Sequence, residues 1–320
     1  MRAVHISVAL LLSTIPVAQA SAQAAVSSEE AGMAALRAGK AAEARDLFEA
    51  ALTRDPRSVA AQSGEVQASE QIALQQSAAG DADSALRTLL RAKDHAPDNG
   101  RLFYDLGVLE DQMQLYRDAD EALAQATKIM GDDPTLLYAI ARVKMDLGQL
   151  AAAEEIMQTY LKIRPDDASA HFGLGRIYQI GLQFDKAKAE FARSIELMPL
   201  QTEAYYELGD IALKQGQFQE ALPQFDKTLA RDPRHGGALE GAGEANFKLK
   251  RYQEAREYLE RAVAAAPDYP PCHYYLGLTL ARLGDKEASQ RELETASRMS
   301  EKQNAAAPLR LQQPPQSQNQ

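Results

Sequence analysis

Residues 168–201 read ASAHFGLGRIYQIGLQFDKAKAEFARSIELMPLQ, and residues 202–235 read TEAYYELGDIALKQGQFQEALPQFDKTLARDPRH. Written one under the other, they agree in chemistry more than in letters. Leu174-Gly175 falls over Leu208-Gly209, Ala187 and Phe191 over Ala221 and Phe225, and Pro199 over Pro233. Equivalent positions are 34 residues apart. A period of that length decides the architecture before any single helix is considered.

The period extends in both directions. Pro165 and Pro267 continue the proline series, Pro97 lies two periods before Pro165, and Gly131 holds the place between. With proline at the thirty-second place the blocks are 25–58, 66–99, 100–133, 134–167, 168–201, 202–235, 236–269 and 270–303, provided Val59–Glu65 is set aside as a seven-residue insertion. The eighth place holds only glycine or alanine: Gly32, Ala73, Gly107, Ala141, Gly175, Gly209, Gly243 and Gly277. The twentieth is small, from Ala44 to Ser289, and the twenty-fourth is large and apolar, from Phe48 to Leu293.

Each block therefore predicts a first helix, a tight turn often marked by glycine (Gly39, Gly80, Gly148, Gly216, Gly284), and a second helix stopped by proline. Small residues on both helices permit close approach, and large apolar residues fill the space beside the contact. A single block exposes apolar surface on both sides, so neighbours must cover it. Seven inserted residues are nearly two helical turns and rotate a helix face by only about 20°. Val59–Ala79 is accordingly predicted as one long first helix protruding at an edge of the stack.

The blocks resemble the tetratricopeptide repeat family. Leu174-Gly175, Leu208-Gly209 and Leu276-Gly277 match its leucine-glycine pair, while Ala44…Phe48, Ala187…Phe191 and Ala221…Phe225 match its Ala-x-x-x-Phe. The resemblance covers residues 25–303 apart from the insertion. It departs at the first aromatic, where Phe103, His171, Tyr205 and His273 stand among smaller residues, and in keeping the first-helix tyrosine only at Tyr178. It implies an all-α fold, a right-handed α-solenoid of about eight helix-turn-helix repeats, whose first helices line a concave surface where peptides bind.

Composition narrows the function. The chain has 35 basic and 45 acidic residues, a formal charge of −10, which disfavours nucleic acid and anionic membranes. The single cysteine, Cys272, cannot form an intramolecular disulfide or a cysteine zinc cluster, and the five histidines show no ligand spacing. No cofactor or metal is expected. Residues 1–24 read as a cleaved secretory signal, with Arg2, an apolar run from Ile6 to Val17, and small-x-small sites at Ala18-Gln19-Ala20 and Ala22-Gln23-Ala24. The mature chain is expected outside the cytoplasm, periplasmic or secreted, without a membrane span. Residues 304–320 are rich in glutamine and proline and are expected to be disordered.

The candidate lining is the fifth and ninth places, expected to point away from the second helix. Tyr104, Tyr138, Phe172 and Tyr206 form an aromatic run at the fifth place, offering contact area at low entropic cost; alternatively they pack against the neighbouring first helix. Arg142 and Arg176 at the ninth place can grip an anion or pair with an acid such as Asp105 or Asp146. His171 and His273 suit packing better than metal binding. Gly236, Gly237 and Gly241 lack the context of a phosphate loop and are expected to soften their helix.

These readings converge on a non-catalytic scaffold in the cell envelope that holds a protein or peptide partner on its concave face. The alternatives are an envelope glycan ligand, an accessory role in a secretion or assembly complex, and an enzyme. The repeats leave no room for a catalytic domain, and no nucleophile–base pair stands out.

Overall fold

The computed structural model describes residues 28–131 and 133–306, so the signal segment 1–24 and the tail beyond 306 lie outside the described residues. Among the described residues there are sixteen helices and no strand. The chain divides after Tyr160 into two compact units. The first holds α1 (28–37), α2 (Ala41–Arg54), α3 (Val59–Ala78), α4 (Ala82–His95), α5 (Gly100–Gln112), α6 (Tyr116–Met130), α7 (Pro134–Asp146) and most of α8 (Leu150–Ile163). The second holds α9 (Ala168–Ile180), α10 (Phe184–Leu197), α11 (Thr202–Lys214), α12 (Phe218–Leu229), α13 (Gly236–Lys248), α14 (Tyr252–Ala265), α15 (Pro270–Leu283) and α16 (Lys286–Ala306). Helix α16 runs three residues past the periodic boundary at 303.

Each hairpin closes through the same contact. A Cβ built on Gly175 would lie 2.7 Å from the Phe191 ring, and one on Gly209 would lie 2.7 Å from the Phe225 ring. Both rings are fully buried. Where the second helix carries phenylalanine (Phe48, Phe191, Phe225), the first carries glycine (Gly32, Gly175, Gly209); alanine occurs only opposite Leu89 and Met157. Volume is thus shared across the contact, as close packing requires. The twentieth-place alanines, such as Ala187 and Ala221, are fully buried in the same layer.

The turn between paired helices needs a left-handed residue in all eight blocks. Five are glycines, but Gln114, Leu182 and Lys250 stand at the same place with φ of 62°, 57° and 62°. There the backbone closes with a long-loop bond, for example the Leu182 N–H to the Gln179 carbonyl and the Gln183 N–H to the Tyr178 carbonyl. Five of the first helices, α3, α5, α7, α9 and α13, begin with side-chain caps. Asp167 accepts the amides of Ser169 and Ala170, and Asn99 accepts that of Leu102. Prolines also stand in the first turns of α7 and α15.

The insertion is accommodated differently from the expected protrusion. Helix α3 is one continuous helix of 20 residues, and one face of its added segment is buried while Val59 and Ser63 stay exposed. Ala61 and Glu65 have no exposed surface, and Gly64 meets the Phe48 ring of α2. Further along the same helix, Ala73 packs with Ala85 and Leu89 of α4. Two turns of extra helix preserve the apolar stripe, so its first half covers α2 while its second half forms a hairpin with α4.

The glycines of α13 also serve packing. All lie inside the helix; a Cβ on Gly237 would sit 2.8 Å from the Tyr206 hydroxyl, and one on Gly241 would sit 2.5 Å from Phe225. Intrinsic helix stability is exchanged there for contact with the preceding hairpin.

Two outcomes follow from these contacts. Gly175→Ala should destabilise the protein by about 1–3 kcal/mol despite alanine's better helix propensity, because the Phe191 ring must move. Combining it with Phe191→Leu should cost less than the sum of the single changes in urea unfolding, whereas additivity would refute the shared-volume account. Leu182→Gly should stabilise by about 0.5–1 kcal/mol by relieving the left-handed backbone. Leu182→Ala, which loses the same exposed side chain but keeps the strain, should not.

Candidate binding surface

First helices of successive hairpins touch one another: α3 with α5 and α5 with α7 in the first unit, and α11 with α13 and α13 with α15 in the second. The predicted lining residues lie on these helices and on α9, but not as expected. The fifth-place rings lean toward the second helix of their own block. Tyr138 meets Tyr160 with ring centroids 5.5 Å apart, Phe172 meets Phe191 at 5.4 Å, and Tyr206 meets Phe225 at 6.2 Å. The reason is the eighth-place small residue, one turn further along. It brings the second helix so close that its ring reaches the fifth-place side chain. Tyr206 also lies against His235 at 4.7 Å and over Gly237. Tyr104 stands beneath the Arg101 guanidinium, 5.2 Å from its ring centre. All four rings are half-buried.

The two arginines are engaged by acids one repeat away. Arg142 Nη2 lies 2.6 Å from Asp111 Oδ2, and Arg176 Nη1 lies 3.2 Å from Glu207 Oε1. The partners are neither Asp105 nor Asp146. Gln179 donates from Nε2 to Glu207 Oε2 (2.9 Å) and Asp210 Oδ2 (3.1 Å), and Lys214 holds Asp210 at 2.5 Å. Burial raises the pKa of Asp111, which Arg142 opposes and Asp146 reinforces.

The strongest electrostatic feature of this face is acidic. Asp210 and Glu244 occupy the ninth place on α11 and α13, and Glu240 occupies the fifth place on α13. Glu240 has no hydrogen-bond or ion-pair partner among the described residues. Burial first, then Glu244 and Asp210, raises its pKa to about 7. Three tyrosines frame these acids. Burial and the surrounding carboxylates raise the Tyr206 and Tyr275 hydroxyl pKa values, with Tyr275 hydrogen-bonded to Glu244, and Tyr269 is raised by burial and Glu240. Beside them a groove of about 710 Å³ lies between α15 and α16, lined by Tyr269, Tyr274, Tyr275, Leu293 and Ala296. The sequence carries these acids at the fifth and ninth places, but their burial and mutual approach arise only from the fold.

The first unit has a smaller groove of about 380 Å³ between α3 and α5, with Glu70, Leu74, Arg101, Asp105 and Val108 in its wall. Burial, then a hydrogen bond and charge repulsion from Asp105, raise the Glu70 pKa to about 7; Arg101 opposes the shift.

Other titratable groups have structural partners. His171 Nδ1 lies 2.6 Å from Glu190 Oε2, with its Nε2 2.9 Å from the Pro165 carbonyl; His273 repeats both contacts with Glu292 and Pro267. Tyr205 reaches the Pro199 carbonyl from the same place in its block at 3.4 Å. This place thus ties the first helix to the proline turn before it, which explains why polar rings occupy it. Cys272 is fully buried, and burial followed by Glu240 pushes its thiol up to about 12, leaving little thiolate for nucleophilic chemistry. No described helix is long and apolar enough to cross a membrane.

The Glu240 carboxyl sets a pH dependence. Its folded pKa lies above the ordinary value of 4.5, so the stability it contributes is fully present below pH 4.5 and is lost as pH rises through about 7. Glu240→Gln should flatten this fall and raise stability at pH 8 by roughly 1–2 kcal/mol. Urea midpoints compared at pH 5 and pH 8 measure it; an unchanged pH difference would contradict the assignment.

Comparisons place these features among known proteins. Two sequence profiles, both described as tetratricopeptide repeat, match the chain: one over 29–72, 181–220 and 206–270, the other over 112–177 and 246–312. No curated protein matches it. The crystal structure of PilW, a widely conserved type IV pilus biogenesis factor, is similar at 21% identity and a TM-score of 0.59, covering 66% of this chain and 96% of PilW. A tetratricopeptide repeat protein from Parabacteroides merdae is similar at 20% identity and 0.57, covering 72% and 91%. MamA from Desulfovibrio magneticus matches at 21% identity and 0.50, covering 55% and 99%. At these identities the likeness concerns the fold.

Proposed function

Because the chain belongs to the tetratricopeptide repeat family, we propose that it is a non-catalytic scaffold that holds a protein partner on the face built by its first helices. In the second unit this face selects a basic segment. The observation that carries the reading is the group of Asp210, Glu240 and Glu244 framed by Tyr206, Tyr269 and Tyr275. Glu240 lacks a cationic partner of its own and is half-protonated near neutrality. A lysine or arginine from a partner would supply the missing charge, and the tyrosine faces would cover its apolar stem. The groove under Tyr274 offers an apolar side chain a place beside that charge.

Of the two roles open to Arg142 and Arg176, gripping an anion and pairing with an acid, the contacts favour the second. Their engagement with Asp111 and Glu207 favours a positioning role within the face. The family match gives the glycan alternative no support. Work in the cell envelope, as a periplasmic or secreted scaffold or as an assembly-complex subunit, is supported by the basic start, apolar run and small-x-small sites of residues 1–24.

Peptide arrays of graded charge, probed with the purified protein, test the reading. Lysine- and arginine-rich peptides should be retained. Their affinity should fall about tenfold or more in Glu240→Gln/Glu244→Gln, and binding should release protons, detectable by calorimetry in buffers of different ionisation enthalpy. Equal retention of acidic peptides, or affinity unmoved by the double substitution, would sink it.

A further inference from the structure

A second constellation lies in the first unit, where three successive helices meet. Glu49 on α2, Glu65 on α3 and His95 in the last turn of α4 converge so that one ligand atom from each lies within 4.8 Å of the others. They are far apart in sequence and match no ligand motif. Glu65 is the last residue of the seven-residue insertion, and it is fully buried.

The hydrogen bonding around these residues is one-sided. Glu65 Oε1 accepts the Ser69 hydroxyl at 3.0 Å, and Glu49 Oε2 accepts Arg91 Nη2 at 2.5 Å. The remaining oxygens, Glu65 Oε2 and Glu49 Oε1, are buried without a hydrogen-bond partner, as is His95 Nδ1. Arg45 Nε stands 3.8 Å from Glu49 Oε1, but its own hydrogen bonds go to Asp46. Each of the three residues thus carries a buried atom able to donate a lone pair and without a hydrogen-bond partner, and the three together bring ligand atoms within 4.8 Å of one another. Native structures seldom leave even one such atom unsatisfied.

We propose that Glu49, Glu65 and His95 bind one divalent transition-metal ion of the Zn²⁺ type. One imidazole nitrogen with two carboxylate oxygens suits such an ion better than Ca²⁺ or Mg²⁺, which favour oxygen alone. Ligands ~2.1 Å from a tetrahedral ion are about 3.4 Å apart, so the three atoms need only small side-chain rotations to close on it. The hydrogen bonds from Ser69 and Arg91 are the outer contacts that orient carboxylate ligands. Two carboxylates balance the ion's charge. Burial raises the Glu65 pKa, with Glu49 adding to the shift while Ser69, His95 and Arg45 oppose it; a bound cation would reverse that tendency. The ligands come from three successive helices, so the ion would tie the long helix to both of its neighbours.

The full-length protein, stripped with chelator, is titrated with Co²⁺ while its visible absorption is followed, and then with Zn²⁺. One equivalent of Co²⁺ should give a saturable ligand-field spectrum that Zn²⁺ displaces, and Zn²⁺ should raise the Tm. Glu65→Gln and His95→Gln, each checked by circular dichroism, should weaken uptake on the order of 100-fold and abolish the Tm shift. If buried Glu65→Gln does not fold, the half-buried His95→Gln decides. Absence of saturable one-to-one uptake of either metal, or uptake unchanged in the folded variants, would overturn the assignment and leave an ordered water or a shared proton as the occupant.

Discussion

The contact between an eighth-place glycine or alanine and the large side chain sixteen residues later governs the rest of the structure. Where glycine faces phenylalanine, as at Gly175 and Phe191, there is no space for even one methyl group between the helices. Interiors packed this closely transmit position faithfully. Close approach fixes the distance between paired helices and decides where the fifth-place ring rests. It also sets which side chains the first helix presents to its neighbours. The candidate face is therefore a consequence of hairpin closure and not an independent layer placed on top of it.

The period made this architecture legible. Each of Gly175, Ala187, Phe191 and Pro199 recurs with a constant offset, and constant offsets report contacts shared by every repeat. The turn was legible only where glycine marked it. Gln114, Leu182 and Lys250 adopt the same left-handed backbone without announcing it, because the turn is imposed by the helices on either side. The fate of Val59–Glu65 was half legible: the two-turn length predicted continuous helix, but not that Gly64 would meet Phe48.

The binding face was harder to read, for a physical reason. Periodicity shows which residues share a strip; it does not show how far each is buried or which charges cancel. Arg142 and Arg176 stood out by type, yet each is matched by an acid 31 residues away. Glu240 was an ordinary glutamate in the sequence, and only the approach of Glu244, Asp210 and the tyrosines makes it unusual. The Glu49, Glu65 and His95 group breaks the period altogether. Glu65 belongs to no repeat place, so its neighbours emerge only from the fold.

The length of α3 has a bearing on how the first unit comes apart. Stacked repeats ordinarily behave as a chain of nearest neighbours, each hairpin with its own intrinsic stability and an interface to the next. Terminal units in such chains fray first and independently. Here the helix that covers α2 is continuous with the helix that pairs with α4, so the interface and the next hairpin share one hydrogen-bonded backbone. The first two hairpins are consequently joined through one continuous helix, so their unfolding should be coupled more tightly than that of hairpins joined by a loop.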